Sequence, residues 1–156
     1  MVKQNDFLNI PVLDIEGNDV VLNDLLGEMT FIYFYPKDDT PGCTKEACSV
    51  RDNYEKLREL NVRVIGVSKD SVGSHLKFKA KYNLNFELLS DPDHKLQEAM
   101  GVWQQKKFMG RIFMGTVRMS FLLDSKGNII KTYPKVDPKK HVEEVIKDII
   151  AIKNQQ

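Results

Sequence analysis

Only two cysteines occur among the 156 residues, too few to frame a disulfide-built secreted mini-domain. Long apolar runs are also missing. The densest, Phe31-Ile32-Tyr33-Phe34-Tyr35, falls far short of the ~20 residues of a membrane span, so no membrane partner is expected. Neither charge dominates: 23 Lys and Arg against 22 Asp and Glu leave a formal +1. Nucleic-acid binding by bulk phosphate neutralisation calls for a clear basic surplus, so that partner is not expected either. The opening residues Met1-Val2-Lys3-Gln4-Asn5-Asp6 carry no apolar stretch behind their lysine, unlike a secretory leader. The expected setting is the cytoplasm, where thiols are kept reduced. Repeats, low-complexity tracts and Pro/Gly/Ser linkers are absent. With 42% hydrophobic and 29% charged residues, residues 1–156 read as one domain with a real core.

The pattern of apolar residues predicts an α/β fold. Phe7 to Leu22 reads as two short extended pieces around the turn Glu16-Gly17-Asn18. Met29 to Tyr35 and Val62 to Val67 are apolar on both faces, as strands inside a sheet are. Between them Ala47, Val50, Tyr54, Leu57 and Leu60 recur at helical spacing, predicting one helix. Further helices are expected over Ser71–Tyr82 and Asp93–Met100, with a short strand at Phe86–Leu89. Val102 to Phe113 reads as irregular. A hairpin of Thr116–Leu123 and Ile129–Tyr133 around Asp124-Ser125-Lys126-Gly127-Asn128 is then followed by a last helix opened by Pro138. Strand–helix–strand alternation implies a parallel crossover and a sheet covered by helices. In such sheets the working site lies beyond the carboxyl ends of the strands, which here means Pro36 to Cys43.

Cys43 falls where the first helix should begin, behind Thr40, Pro41 and Gly42. Thr is a good helix cap, Pro suits the first turn, and Gly lets backbone approach a ligand. A helix start offers free N–H groups and a positive dipole end, both of which favour an anion. A thiol of pKa ~8.5 is about 3% ionised at neutral pH, and one of pKa ~6 about 90%. Cys43 reads either as a small hydrophobe in a loop or as an activated nucleophile, and its polar, turn-forming neighbours favour the second. Cys48 lies five residues on. In an intact helix the two Cα atoms would be about 8.7 Å apart and the side chains ~140° apart in direction, beyond the ~7 Å limit of a disulfide. The two thiols either never meet or meet only when the helix start unwinds.

Other chemistries fit less well. Cys-x4-Cys with scattered His75, His94 and His141 is a poor zinc pattern. A Cys–His hydrolase would need one of those histidines at the site, yet each sits in or near a predicted helix in polar company and reads as a solvated surface residue. A non-enzymatic redox sensor is an alternative use of the same thiol. Arg118 interrupts the apolar run Thr116–Leu123. By alternation it shares a face with Ser120 and Leu122, where it needs an anionic partner unless it reaches solvent from an edge. Glu46 is either compensation for the first-turn dipole or an ordinary exposed acid.

Taken together, Pro36-Lys37-Asp38-Asp39-Thr40-Pro41-Gly42-Cys43 resembles the Pro-x-x-x-Thr-x-x-Cys motif of the peroxiredoxins. Phe34-Tyr35-Pro36-Lys37-Asp38, Thr40-Pro41-Gly42-Cys43-Thr44, Gly101-Val102-Trp103 and Arg118-Met119-Ser120-Phe121-Leu122-Leu123-Asp124 are similar to the bacterioferritin comigratory protein, or Q-type, subgroup. The resemblance runs in order along nearly the whole chain. It implies a thioredoxin-like fold, a central mixed sheet flanked by helices with an N-terminal β extension, and reduction of hydroperoxides without metal or organic cofactor. It also implies roles: Cys43 as the peroxidatic cysteine, Arg118 holding its thiolate and the peroxide, Thr40 at the substrate oxygen, Pro36 shielding the pocket, Glu46 orienting Arg118. Cys48 matches the resolving cysteine that this subgroup often places on the same helix, with thioredoxin or a similar dithiol as reductant and a monomer as the expected state. Pocket-rim candidates for peroxide preference are Trp103, Phe108, Phe113 and Met114, equally readable as ordinary packing.

Overall fold

β3 (Met29–Phe34) is buried at every position, and its two faces feed two separate apolar clusters. The computed structural model describes residues 6–155; the reading of residues 1–5 as leaderless lies outside them. Along the chain follow β1 (Val12–Leu13), β2 (Asp19–Val20), β3, α1 (Pro41–Asp52), α2 (Tyr54–Glu59), β4 (Val62–Ser68), α3 (Val72–Tyr82) and β5 (Glu87–Ser90). Then come α4 (Lys95–Ala99), β6 (Trp103–Phe108), β7 (Arg111–Thr116), β8 (Met119–Leu123), β9 (Ile129–Tyr133) and α5 (His141–Asn154). Seven strands form one sheet in the order β2-β1-β5-β4-β3-β8-β9. The β3–β4 and β4–β5 pairs are parallel, the β3–β8, β8–β9 and β1–β5 pairs antiparallel. This is the expected mixed sheet with its small N-terminal β pair.

Phe31, Tyr33 and Tyr35 pack on one side of the sheet with Cys43, Ala47 and Val50 of α1, Phe78 of α3, and Val142, Val145 and Ile149 of α5. Ile32 and Phe34 point the other way, into a cluster with Phe7, Leu8, Leu96 of α4 and Phe121. Removing these side chains from water is the main drive that sets α1 against β3. The parallel β3–β4 pair then leaves the carboxyl end of β3 free to hand over to α1.

Four expectations change. The single helix over Ala47–Leu60 is broken at Asn53, whose side-chain amide donates to the Ser49 carbonyl at 2.8 Å. An amide competing with the backbone in this way ends a helical run. The irregular stretch Val102–Phe113 is instead the β6–β7 hairpin, turned by Met109 and Gly110, both at positive φ. Two positive φ values are what a tight two-residue hairpin turn requires, and Met at the first of them hid the signal. The strand expected over Thr116–Leu123 is interrupted at Val117–Arg118, between β7 and β8. The last helix begins at His141, with Pro138 in the turn before it.

His75 and His141 also differ from expectation: both are buried, not solvated. Each has found a polar partner inside, His141 facing the Ser120 hydroxyl at 2.9 Å. Burial pushes His141 down to about 4, so it sits in the core as a neutral ring. His94 is half-buried, with its ring stacked on Trp103 at 3.9 Å between centroids.

Candidate active site

The chain leaves β3 at Tyr35 and reaches α1 through Pro36-Lys37-Asp38-Asp39-Thr40, and this short loop is fastened residue by residue. Thr40 Oγ1 donates to the Lys37 carbonyl at 2.8 Å. Asp38 is buried, and its carboxylate accepts from Tyr35 Oη at 2.6 Å and Ser74 Oγ at 2.8 Å and meets His75 Nδ1 at 2.7 Å. Its own N–H donates to Asp70. The other nitrogen of His75 faces the Leu89 carbonyl at 3.0 Å, so the ring bridges Asp38 to β5. Asp39 stands at φ 57, held by Lys81 and Tyr82 at 2.7 Å each. The loop is thus tied to the ends of β4 and β5 and to α3.

Thr40 occupies the N-cap position of α1 with extended backbone, but its side chain makes no capping bond. The expectation of a Thr cap is corrected: the hydroxyl is turned to the Lys37 carbonyl and accepts from no N–H of α1. Pro36 is half-buried beside this loop.

Cys43 is buried in the first turn of α1. Arg118 Nη2 donates to its Sγ at 3.4 Å, and Nη1 of the same guanidinium donates to Glu46 Oε1 at 3.1 Å. Arg118 arrives from the break between β7 and β8, on the face it shares with Ser120 and Leu122, and Leu122 lies in the same cluster as Cys43. The sequence alternation therefore places it correctly, and Glu46 and the Cys43 sulfur meet its guanidinium. Gly42 makes room: a Cβ there would stand 3.1 Å from Arg118 Nη2 and 3.7 Å from Pro138.

Glu46 is no exposed acid. It has no exposed surface, and burial, set against the pull of Arg118, pushes it up to about 7. Burial also works against the Arg118 charge, but the sulfur of Cys43 and the carboxyl of Glu46 outweigh it and hold Arg118 above its ordinary value. Glu46 Oε2 and the Tyr33 hydroxyl, both buried, have no hydrogen-bond partner among the described residues. Burial and then the charges of Glu46 and Cys43 push Tyr33 well above the ordinary phenol range, which keeps it neutral. Its ring lies over Gly66, where a Cβ would meet it at 3.0 Å.

Cys48 lies half-buried on the same unbroken α1, and both thiols are free. Of the proposed rim, Trp103 is half-buried, whereas Phe108, Phe113 and Met114 are exposed, so neither core packing nor a closed rim describes those three. Among the described residues no three His, Cys, Asp or Glu side chains converge as metal ligands would. Sequence reasoning missed Asp38, His75 and Tyr33. The one available signal was His75 sitting one turn into α3, on the same stripe as buried Phe78.

Residues 4–132 match the AhpC/TSA family. The chain is 48% identical over 142 residues to peroxiredoxin Bcp of Bacillus subtilis, covering 89% of this chain and 90% of that one. It is 42% identical over 133 residues to peroxiredoxin Bcp of Escherichia coli K12, covering 85% of each. Among solved structures, a bacterioferritin comigratory protein of Xanthomonas campestris, studied for its alkyl peroxide reduction activity, superposes with a TM-score of 0.87 at 33% identity. That match covers 93% of this chain and 92% of the other.

Two outcomes follow from the geometry. Gly42→Ala should slow oxidation of Cys43 by peroxide about tenfold or more, because a displaced guanidinium is costly. In urea unfolding the same variant should hold its stability or gain up to about 1 kcal/mol of helix propensity. An unchanged rate would show that Arg118 has slack at this point.

Glu46 supplies the second. A carboxyl raised from 4.5 to about 7 holds its proton more tightly in the folded than in the unfolded chain. Its stabilising contribution is present below about pH 4.5 and lost as the pH rises through about 7, a change worth about 3 kcal/mol. Relative to the native protein, Glu46→Gln should therefore gain by about that amount between pH 4.5 and pH 8; His141 is common to both proteins and drops out. Parallel stability curves would contradict the buried, uncompensated carboxyl.

Proposed function

Because the chain belongs to the AhpC/TSA family, as a thiol peroxidase of the Bcp/PrxQ peroxiredoxins, we propose that Cys43 is its peroxidatic cysteine and Cys48 its resolving one. The observation that carries this reading is the Arg118 guanidinium donating to the Cys43 sulfur at a helix start. Two sources of positive potential, the helix start and the guanidinium, meet at one sulfur, where negative charge is stabilised as the reaction proceeds.

In the proposed cycle the thiolate attacks the nearer peroxide oxygen. An S–O bond forms, the O–O bond breaks with its electron pair on the far oxygen, and Cys43 becomes a sulfenic acid. The leaving alkoxide or hydroxide takes a proton to become alcohol or water, its charge stabilised meanwhile by the α1 N–H groups and Arg118. With its hydrogen committed to Lys37, the Thr40 hydroxyl is left to accept, which suits it to receive the O–H of the incoming hydroperoxide. On this reading Pro36, half-buried at the start of the loop, shields the pocket from water, and Glu46 fixes the guanidinium as a positioning residue.

Resolution needs motion. Five residues of intact helix hold the two Cα atoms about 8.7 Å apart, so the first turns of α1 must unwind before Cys48 condenses with the sulfenic acid, releasing water. Opening the first turn of α1 breaks no side-chain capping bond, while Asp38 and Asp39 keep the loop before it in place. A dithiol reductant, thioredoxin or a similar protein, then restores both thiols by exchange. A monomer in the cytoplasm, where such reductants are kept reduced, suits this cycle.

Purified protein with thioredoxin or dithiothreitol should turn over hydrogen peroxide and alkyl hydroperoxides, and Cys43→Ser should abolish turnover. Mass spectrometry of unalkylated protein after one equivalent of peroxide should show a loss of about 2 Da, the two hydrogens of a disulfide, which Cys48→Ser prevents. An oxygen adduct at Cys43 in the native protein, with no disulfide, would reject the role of Cys48.

A further inference from the structure

The hairpin β6–β7 pairs with no strand of the seven-stranded sheet and carries large apolar side chains into solvent. Phe108 is 67% exposed, Met109 87%, Ile112 64%, and Phe113 and Met114 about half. Directly opposed residues share a face. The register therefore puts Lys106, Phe108, Arg111 and Phe113 on one face, and Lys107, Ile112 and Met114 on the other, with Met109 at the turn. Both faces are apolar toward the tip. From Val102 to Thr116 there are three cations, Lys106, Lys107 and Arg111, and no acid, in a chain whose overall charge is only +1.

We infer that this hairpin is an interfacial anchor that seats the protein on an anionic lipid surface. A flat protein partner would cover one face and leave the other wet, whereas a fluid interface takes both. The apolar outer half spans about three residues per strand, roughly 10 Å, which matches the depth to which interfacial segments enter the headgroup–acyl boundary. Lys107 stands one residue behind Phe108, at headgroup level. The long stem of Arg111 lets its charge reach back to the same level. Lys106 is folded onto the Thr116 carbonyl at 3.0 Å and adds its charge from the base. Two such hairpins from separate copies would set like charges against each other, so self-pairing is disfavoured. No helix among the described residues is long and apolar enough to cross a membrane. Surface seating is a different mode, which the sequence reading of runs alone did not weigh.

The placement gives the anchor a purpose. β7 runs within two residues of Arg118, and at the hairpin base Trp103 lies under Lys69, just past the carboxyl end of β4. The hairpin is therefore rooted at the same end of the central strands, the carboxyl end of β3 and β4, as the Cys43 loop. On the proposed peroxidase reading, the substrates delivered there are hydroperoxides of membrane acyl chains.

Sedimentation with vesicles tests this. Full-length protein should pellet with phosphatidylcholine–phosphatidylglycerol vesicles at least about tenfold more than with phosphatidylcholine alone, and high salt should weaken it. The double variant Met109→Ser/Ile112→Ser, altered only at exposed positions, should lose that binding while turnover of a small soluble hydroperoxide stays within about twofold. Cys43→Ser should bind vesicles like the native chain, so loss of the peroxidase reading and loss of the anchor are told apart. The inference is overturned if the native protein shows no phosphatidylglycerol-dependent binding or if the double variant binds equally well. It is also overturned if the double variant only impairs turnover with a protein dithiol reductant, or dissolves a dimer seen in gel filtration.

Discussion

One guanidinium spans a buried carboxyl and a buried sulfur, and the active centre depends on that bridge. Arg118 can stay half-buried only because Glu46 and Cys43 face it. Glu46, without exposed surface, is bearable only because Arg118 offsets part of its desolvation. Breaking a buried pair by removing one partner strands the other charge, so loss of Arg118 would leave Glu46 buried with nothing to offset its desolvation. Gly42 serves the same contact by what it lacks, since a methyl group there would crowd the guanidinium.

The remaining fold fastens the loop beneath this bridge. Asp38, clasped by Tyr35, Ser74 and His75, and Asp39, clasped by Lys81 and Tyr82, pin the loop to α3 and the strand ends. α1 itself starts uncapped. The proposed cycle, in which Cys43 is held for attack and then released to Cys48, draws on that contrast between an anchored loop and an uncapped helix start. The buried polar clasp is fully partnered, as such networks must be to rigidify a core.

What the sequence disclosed, it disclosed through local pattern. The apolar runs at Met29 and Val62 set the parallel pair, the turn chemistry before Cys43 set the helix start, and a lone Arg in an apolar stretch marked the charge bound for the site. The clasp was illegible because it is built from residues far apart in the chain: Asp38 and His75 look polar and solvated until tertiary packing buries them. Glu46 was half legible; its place three residues after Cys43 was seen, its complete burial was not, since helix phase alone does not say how closely β8 approaches α1. The β6–β7 hairpin escaped because residues exposed on both faces give no period-two signal.

The central claim is that the two-pronged geometry of Arg118, and not merely its charge, readies Cys43. Arg118→Lys keeps the charge but offers a point where the guanidinium offers a fork. The second-order rate constant for oxidation of Cys43 by hydrogen peroxide, measured by competition kinetics, should fall about a hundredfold in that variant. A rate within about twofold of the native protein would contradict the account, because a single ammonium cannot hold both Glu46 and the sulfur as the fork does.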